Sequence, residues 1–455
     1  MNINITIVYY TKLLTRIIKI MSTSTLTDQP TNTFLDEEKM YSDTESKSEP
    51  RLDEVKEMER SQNQTSFSFS PPLINNSSEY DMIHSNIPDV NDIFRFTLSN
   101  VNVSVANAIR RTVLSDIQTV AFKTTPYKES DAQMFINTTL LNNEILCGRI
   151  SAIPIHIHPE RTEDIENYIM ELDVKNVTKS TINVTTQDCK IRDKRTGKYL
   201  DEHVVHEIFP PNPITQEYIL IVKLRPKLSQ TLVGSHIKMS CNFSIQTSSV
   251  SGSFVVASIC SYRNTLDETK IKVEYEKIRR NVEDINEEGL TPHEISTHLK
   301  NWLILDSKRI NIPDSFDFII QSIGVFSNQD IVKRACNSII LKLHQVSDQY
   351  RSGAATVVET STTMTNGYDI TLEGVGHTIG KIIEYAILTH MYEGTKVLTF
   401  CGFRKAHPHD TFCTIRVAYK SPIESMVVIN NLLECIESLI VLYSDIHNKM
   451  DNIHH

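Results

Sequence analysis

Apolar residues recur along this chain at two spacings, and each spacing predicts a type of secondary structure. Alternation with polar residues predicts a half-buried β-strand, whose inward residues are Phe94, Phe96 and Leu98. A spacing of four directly after it predicts an amphipathic helix, whose apolar stripe is Val105, Ile109, Val113 and Ile117. Ser104 stands where this helix starts, and a serine hydroxyl suits the N-cap position.

The same strand–loop–helix pattern occurs a second time, at an offset of 274 residues (378 − 104). In the strand, Phe94, Phe96 and Leu98 align with Tyr368, Ile370 and Leu372. In the helix, Val105, Ile109, Val113 and Leu114 align with Ile379, Ile383, Ile387 and Leu388. We predict that these helix positions form a shared core in which the two helices pack against each other.

A further strand and a capped helix follow each copy, in the stretches 316–343 and 411–443. Ser327 with Asp330, and Ser421 with Glu424, have capping-box spacing, and Pro422 suits a first helical turn. The apolar stripe of the last helix is Met426, Ile429, Leu433, Ile436, Ile440 and Tyr443, widened by Leu432, Leu439 and Ile446. So wide a face predicts contact with more than one neighbouring element.

Two copies of one module in one chain predict an α+β fold in which the copies pair as a pseudo-dimer about an approximate two-fold axis. We place the first half at 86–350 and the second at 351–455. The first half carries a β-rich insert at about 161–253, which is rich in Val, Ile and Thr.

Two further segments have no counterpart in the second half. Thr291, Pro292 and Glu294 stand at helix-start positions and predict a helix near Trp302. The stretch 1–85 is predicted to be a disordered N-terminal extension, since from Met21, an alternative start codon, it is polar and acidic.

Composition narrows the class of protein. A chain of 455 residues with 40% hydrophobic residues predicts a soluble, globular protein of two to four domains. The net charge of −10 argues against a whole-surface nucleic-acid binder. Eight cysteines without a C-x-x-C pair favour free thiols. The first twenty residues are too short and too polar to span a bilayer, so no membrane association is expected.

Two motifs resemble ligand sites but lack the required spacing. Gly374 and Gly376 lie between a strand and a helix, yet a dinucleotide fingerprint needs a glycine where Ile379 stands. His293 and His298 are five residues apart, whereas two metal ligands on one helix face are four apart. We interpret the first motif as a turn and the second as part of a helix surface.

Catalytic motifs are also missing from the sequence. The segment 407–410 (HPHD) contains a proline and is predicted to be a turn rather than a metal site. A phosphate-binding loop, a nucleophile elbow and clustered magnesium carboxylates do not occur. We therefore expect no catalytic residues, no metal and no cofactor.

Arg110 and Arg111 fall off the apolar stripe of the first helix. They form either a solvated helix face or a rim whose guanidinium groups bind carboxylates or carbonyls of a partner. The aligned residues of the second copy are Glu384 and Tyr385, which favours different partners for the two copies.

Four stretches of the sequence resemble a known family of proteins. The stretches FRFTLSNVNVSVANAIRRTVLSDIQTVAF and FINTTLLNNEILCGRISAIPIHI resemble the third-largest subunit of eukaryotic RNA polymerase II, which is related to the archaeal D and bacterial alpha subunits. The stretches GVGHTIGKIIEYAIL and VLTFCGFRKAHPHDTFCTIRV resemble the eleventh subunit, the archaeal L counterpart. The resemblance covers roughly 90–446, and the fusion resembles that of large cytoplasmic DNA viruses.

The resemblance implies a non-catalytic assembly subunit of a DNA-directed RNA polymerase. Its partners would be the largest and second-largest subunits, contacted through Asn107, Arg110 and Arg111, and other small polymerase subunits, with DNA reached only through the complex. If the protein is viral, we expect it in the virion and in the host cytoplasm. If it is cellular, we expect it in the nucleus. The insert lacks the family's zinc-loop cysteines. The alternative is a stand-alone interaction scaffold that uses the same fold.

Overall fold

The computed structural model of the chain describes residues 67–76, 93–227, 229, 233–284, 291–360 and 363–452. All of them belong to one compact unit of the chain. Most of the extension 1–85, predicted to be disordered, lies outside the described residues. Its stretch 67–76 corrects that prediction, because Pro72 is buried and Leu73–Asn76 form a strand.

The first repeated module opens with β1 (Leu73–Asn76), β2 (Ile93–Ser99) and α1 (Val103–Ser115). Phe94, Phe96 and Leu98 are buried in β2, which confirms the predicted alternation. The cap of α1 is Asn102 rather than the predicted Ser104, since the Asn102 side-chain oxygen accepts the Ser104 N–H at 2.9 Å. Both residue types cap helices well, and the extended backbone at Asn102 decides between them.

Residues 118–247 build a second core, which interrupts the first module. Its elements are β3 (Gln118–Ala121), β4 (Ala132–Asn137), α2 (Asn143–Ser151), α3 (Thr162–Asn167), β5 (Tyr168–Lys175), β6 (Ile182–Thr185), β7 (Lys190–Asp193), α4 (Glu202–Ile208), β8 (Leu220–Leu224), β9 (His236–Asn242) and β10 (Ser244–Thr247). They form a sheet in the order β4–β9–β5–β7 and the pairs β10–β3 and β6–β8. This core begins at Val120, ahead of the predicted boundary at about 161, because Phe122, Leu146 and Ile150 are buried in it.

The first module resumes with β11 (Ala257–Leu266), α5 (Glu268–Asp284), α6 (Pro292–Ile304), β12 (Asn311–Ser322) and α7 (Asn328–Arg351). The Thr291 hydroxyl accepts the Glu294 N–H at 3.3 Å, which confirms the predicted start of α6. The Ser327 hydroxyl accepts the Asp330 N–H at 3.1 Å and confirms the predicted cap of α7. Sequence reasoning missed α5, whose residues 268–281 are charged for the most part and bury no side chain.

The second module contains β13 (Val357–Glu359), β14 (Gly367–Glu373), α8 (His377–Ile387), a π-helical turn (Leu388–Gly394), β15 (Leu398–Arg404), β16 (Phe412–Tyr419) and α9 (Ser425–Lys449). The predicted cap at Ser421 is wrong, because α9 begins after Glu424. The Tyr368 hydroxyl donates to the Ile423 carbonyl, and this contact holds the stretch before Glu424 outside the helix.

Helix α9 packs against both α7 and α8, as its wide apolar face predicted. Its buried apolar residues are Val428, Leu432, Cys435, Ile436, Leu439, Leu442, Tyr443 and Ile446. The predicted stripe is rotated, since Ile429, Leu433 and Ile440 are only half-buried and Met426 is 61% exposed. By length and composition α9 would also suit a membrane span. Its place in the core accounts for the same apolar composition.

The two modules share one sheet topology. Their strand orders are β1–β2–β12–β11 and β13–β14–β16–β15, and all neighbouring strands are antiparallel. Phe96 lies opposite Phe318 in the first sheet, and Ile370 lies opposite Ile415 in the second. The caps of α1 and α8, Asn102 and Gly376, are again 274 residues apart (376 − 102). The mixed content of helices and strands agrees with the predicted α+β class.

Candidate partner interface at the paired helices

Helix α1 buries one face and leaves the other for contacts outside the core. Val105, Ile109 and Val113 are at most 1% exposed. Leu114, predicted with them, is half-buried and packs at the edge of the same core. The opposite face carries Arg111, which is exposed. The apolar stripe thus fixes which way the arginine points.

Helix α8 buries its equivalent residues in the same core as α1. Ile379, Ile383 and Ile387 are at most 2% exposed, and the α1 and α8 helices are in contact. Leu388 departs from the prediction, because it lies at the end of α8, where the π-helical turn begins, and is only half-buried. The structure therefore brings together the predicted residues of both helices, with Leu388 at the margin.

Arg110 is oriented by its own helix. Its Nε and Nη2 both donate to the Asn107 side-chain oxygen, at 3.0 and 2.9 Å. Asn107 lies one turn earlier, so the pair forms a single polar unit on α1. Burial raises the pKa of the Cys260 thiol on strand β11 to about 12, and the positive charge of Arg110 acts on this pKa in the opposite direction. Asn107 and Arg110 are thus pre-arranged before any partner binds.

Arg111 links the two modules. Its Nε donates to the Thr378 hydroxyl at 2.9 Å, from α1 to the first turn of α8. An open cleft lies beside this bond, lined by Val103, Ser104, Asn107, Ala108, Arg111, His377, Thr378 and Lys381. A guanidinium has five N–H donors, so one bond to Thr378 leaves donor capacity at the surface. Such a group suits a carboxylate or a carbonyl of a partner.

The equivalent face of the second module is closed. Glu384, aligned with Arg110, accepts the Phe403 N–H of β15 at 2.9 Å and pairs with Lys381. Tyr385, aligned with Arg111, stacks on Phe69 with ring centroids 5.5 Å apart. The sequence predicted that the two copies differ here. It did not reveal that Phe69 covers Tyr385 or that Thr378 binds Arg111, since both contacts join distant segments.

The described residues also show how the cysteines and the candidate metal ligands are placed. They contain no cluster of three His, Cys, Asp or Glu side chains that could hold a metal ion. Burial raises the pKa of the Cys189 and Cys336 thiols to about 12, so neither is a ready nucleophile. The His407 N–H donates to the Asp410 carboxylate at 2.9 Å, and this segment forms a turn.

More than half of the chain matches a known protein family. Residues 95–343, more than half of the chain, match the RNA polymerase Rpb3/Rpb11 dimerisation domain. The chain belongs to this family. Within the Rpb3/Rpb11 family match lie most of β2, all of α1 with its arginines, the second core and most of α7. The second module lies beyond the matched range.

Curated relatives include RNA polymerase subunits. The protein named DNA-directed RNA polymerases I and III subunit rpac1 from Dictyostelium discoideum is 24% identical over 289 residues, 56% of this chain and 77% of the relative. A conjugation stage-specific protein of Tetrahymena thermophila is 29% identical over 138 residues, 27% of this chain and 40% of the relative. DNA-directed RNA polymerase subunit Rpo3 of Pyrococcus furiosus is 35% identical over 88 residues, 18% of this chain and 31% of the relative. The chain thus spans less than half the length of the latter two relatives.

Proposed function

We propose that this member of the Rpb3/Rpb11 family is a non-catalytic assembly subunit of a DNA-directed RNA polymerase. It would act as the alpha-like platform that holds the two largest subunits. The observation that carries the proposal is the contact of α1 with α8 in one core, beside the polar side of α1 formed by Asn107, Arg110 and the exposed Arg111, which we call the arginine face. The polymerase subunits among its relatives support the same function.

The proposal includes a pseudo-dimer made by one chain. In it, the first module takes the role of the third-largest subunit and the second module that of the eleventh. The repeated sheet order and the shared core support this pairing. A tether makes the association intramolecular, with an effective concentration on the order of millimolar for a short linker. The pairing then no longer depends on an encounter between two separate subunits.

The arginine face would receive a large subunit. Asn107 holds the Arg110 guanidinium in place, so less side-chain entropy is lost when a partner binds it. Arg111 lies at the junction of the modules, where its orientation depends on their pairing. A carboxylate or carbonyl at the cleft would therefore be bound only after the modules are assembled.

The fused arrangement also suggests a source and a location. We infer a polymerase of a large cytoplasmic DNA virus, found in the virion and in the host cytoplasm. The basis is the presence of both family-like modules on one chain and its Asn-, Ile- and Lys-rich composition. In a cellular polymerase the expected location is the nucleus.

Charge reversal at the arginine face tests the proposal. We expect Arg110→Glu with Arg111→Glu to fold, because Arg111 is exposed and Arg110 bonds only within its helix among the described residues. Affinity purification of the tagged variant should recover the two largest polymerase subunits at least about tenfold less well than the wild type, since charged contacts at an interface are worth a few kcal/mol.

A matched control reverses two charges elsewhere. Arg195→Glu with Lys198→Glu lies in the exposed turn after β7, and it should leave recovery of the large subunits unchanged. Full recovery with the α1 variant would show that this face is not the interface. If the wild type recovers no large polymerase subunit, the stand-alone scaffold is the better interpretation.

A further inference from the structure

Residues 67–76, which we call the clip, contact both modules. On one side, the clip contributes β1 to the first sheet, where Leu73 lies opposite Ser99 and Asn76 opposite Phe96. On the other side, two aromatic rings of the clip lie on the second module. Phe67 packs on His390 with ring centroids 4.3 Å apart, and Phe69 stacks on Tyr385 at 5.5 Å.

Polar contacts fix the clip along α9. The Phe67 N–H donates to the Glu434 carboxylate at 3.2 Å. The Lys449 ammonium group donates to the Pro72 carbonyl at 2.7 Å. These bonds engage α9 at points about four turns of helix apart. The clip is therefore held at two points of α9, and its aromatic rings lie on the π-helical turn and on α8.

The repeat shows that the aromatic part of the clip is an addition to the fold. Strand β13 occupies in the second sheet the edge position that β1 occupies in the first. The chain before β13 comes from α7, and it offers no Phe-x-Phe pair. The aromatic half of the clip thus has no counterpart in the second module. It covers Tyr385, the aligned partner of Arg111, and so makes the two faces of the paired helices unequal.

We propose that the clip fastens the two modules to each other and closes the α8 face, so that the arginine face of α1 is the one open to large partners. The fastening follows from contacts that join β2 to α8 and α9 through one short segment. The choice of face rests on the proposed function. The clip precedes the range that matches the family, residues 95–343.

Hydrogen exchange on the full-length chain tests the clip. The variant is Phe67→Ala with Phe69→Ala, and the control is Ser68→Ala with Ser70→Ala, because both serines are exposed. We expect the phenylalanine variant to lose protection at least about tenfold in β1 and in the segment 385–394, with a lower melting temperature, since two partly buried aromatic rings are removed. The serine control should match the wild type.

Unchanged hydrogen exchange in the phenylalanine variant would overturn the proposal. If the phenylalanine variant keeps wild-type protection in β1 and 385–394, the clip does not fasten the modules. If the double variant does not fold, Phe67→Ala and Phe69→Ala are measured singly, and each should give part of the loss. The readout needs no polymerase subunit. A failed interface experiment at Arg110 and Arg111 therefore leaves this test intact, and the reverse also holds.

Discussion

At the scale of single residues, Gly234 shows how closely the second core is packed. A Cβ at this position would lie 2.0 Å from the carbonyl oxygen of Asn176. Asn176 is itself 1% exposed, and its side-chain amide donates to the Leu224 carbonyl at 3.0 Å. The Asn176 N–H donates to the Ser235 carbonyl at 2.9 Å and the Ser235 N–H donates to the Arg225 carbonyl at 3.1 Å, so a shift of either backbone would cost hydrogen bonds. Glycine is required here by the close approach of two backbones.

We therefore expect Gly234→Ala to reduce the free energy of unfolding by about 1–3 kcal/mol, the usual cost of overpacking. Denaturant unfolding followed by circular dichroism measures it. Gly148→Ala is the matched control, since Gly148 lies in α2 and a Cβ added there would have no neighbouring atom within 4 Å. It should be neutral or stabilising by about 0.5–1 kcal/mol. Equal effects of the two substitutions would contradict this account.

At the scale of elements, the clip lies in a groove lined by three carboxylates of α9, of which Glu437 pairs with Arg351, while Lys449 binds the Pro72 carbonyl of the clip. Ser68 and Ser70 line this groove together with Glu434, Glu437 and Asp445 of α9. Because the residues that line the groove include these three carboxylates and no Lys or Arg, a negative charge on either serine should be repelled on balance. The exposed position of both serines leaves room for such a charge without steric conflict. Binding of the clip should thus depend on its charge.

We expect Ser68→Glu with Ser70→Glu to lower the stability by up to about 1 kcal/mol relative to Ser68→Ala with Ser70→Ala, the scale of exposed charge interactions. Thermal unfolding at low and high salt measures the difference. It should shrink at high salt, because repulsion between exposed charges is screened. A difference that is absent at low salt would show that the carboxylates of α9 do not sense the clip.

Elements governed by local chemistry could be predicted from the sequence. The starts of α6 and α7 were predicted because the caps at Thr291 and Ser327 bond within one helical turn. The start of α1 was predicted at Ser104 instead of Asn102, because these two neighbouring residues are equally good capping candidates. Helix α5 was missed because charged residues dominate it and outweigh a short apolar stripe of Ile271, Tyr275 and Ile278, none of which is fully buried. Local pattern therefore fails where two candidates compete, and also where a distant contact intervenes, as the bond of Tyr368 to the Ile423 carbonyl does near the predicted cap Ser421.

Contacts between distant segments could not be predicted in the same way. The arginines were placed on the polar face of α1, but the Thr378 partner of Arg111 is 267 residues away. The clip was assigned to a disordered extension because its surroundings are polar, and its bond to Glu434 joins residues 367 apart. The internal repeat was the one feature of the sequence that related distant segments to each other, and it predicted which helices lie side by side.

At the scale of the whole molecule, the two modules share one core. It contains Ile109 of α1, Ile339 of α7, Ile383 of α8 and Leu439 of α9. Residues 118–247 have a core of their own. The modules are therefore expected to depend on each other for stability more than either depends on the second core. The chain between α7 and β13 forms an exposed turn at Gly353, and Ala355 after the turn packs at the edge of the shared core.

Cutting the chain at this turn tests whether the two modules stay paired without the covalent link between them. We expect a protease site inserted after Gly353 to be cleaved and the two fragments to elute together in size-exclusion chromatography, because the shared core persists without the link. Ile383→Asp in the same chain should release them, since an unpaired charge buried at 0% exposure costs several kcal/mol. Leu341→Asp, at a position of α7 that is 63% exposed, should not. If the cut wild-type fragments separate in native buffer, the linker and not the core holds the modules, and the pseudo-dimer is wrong.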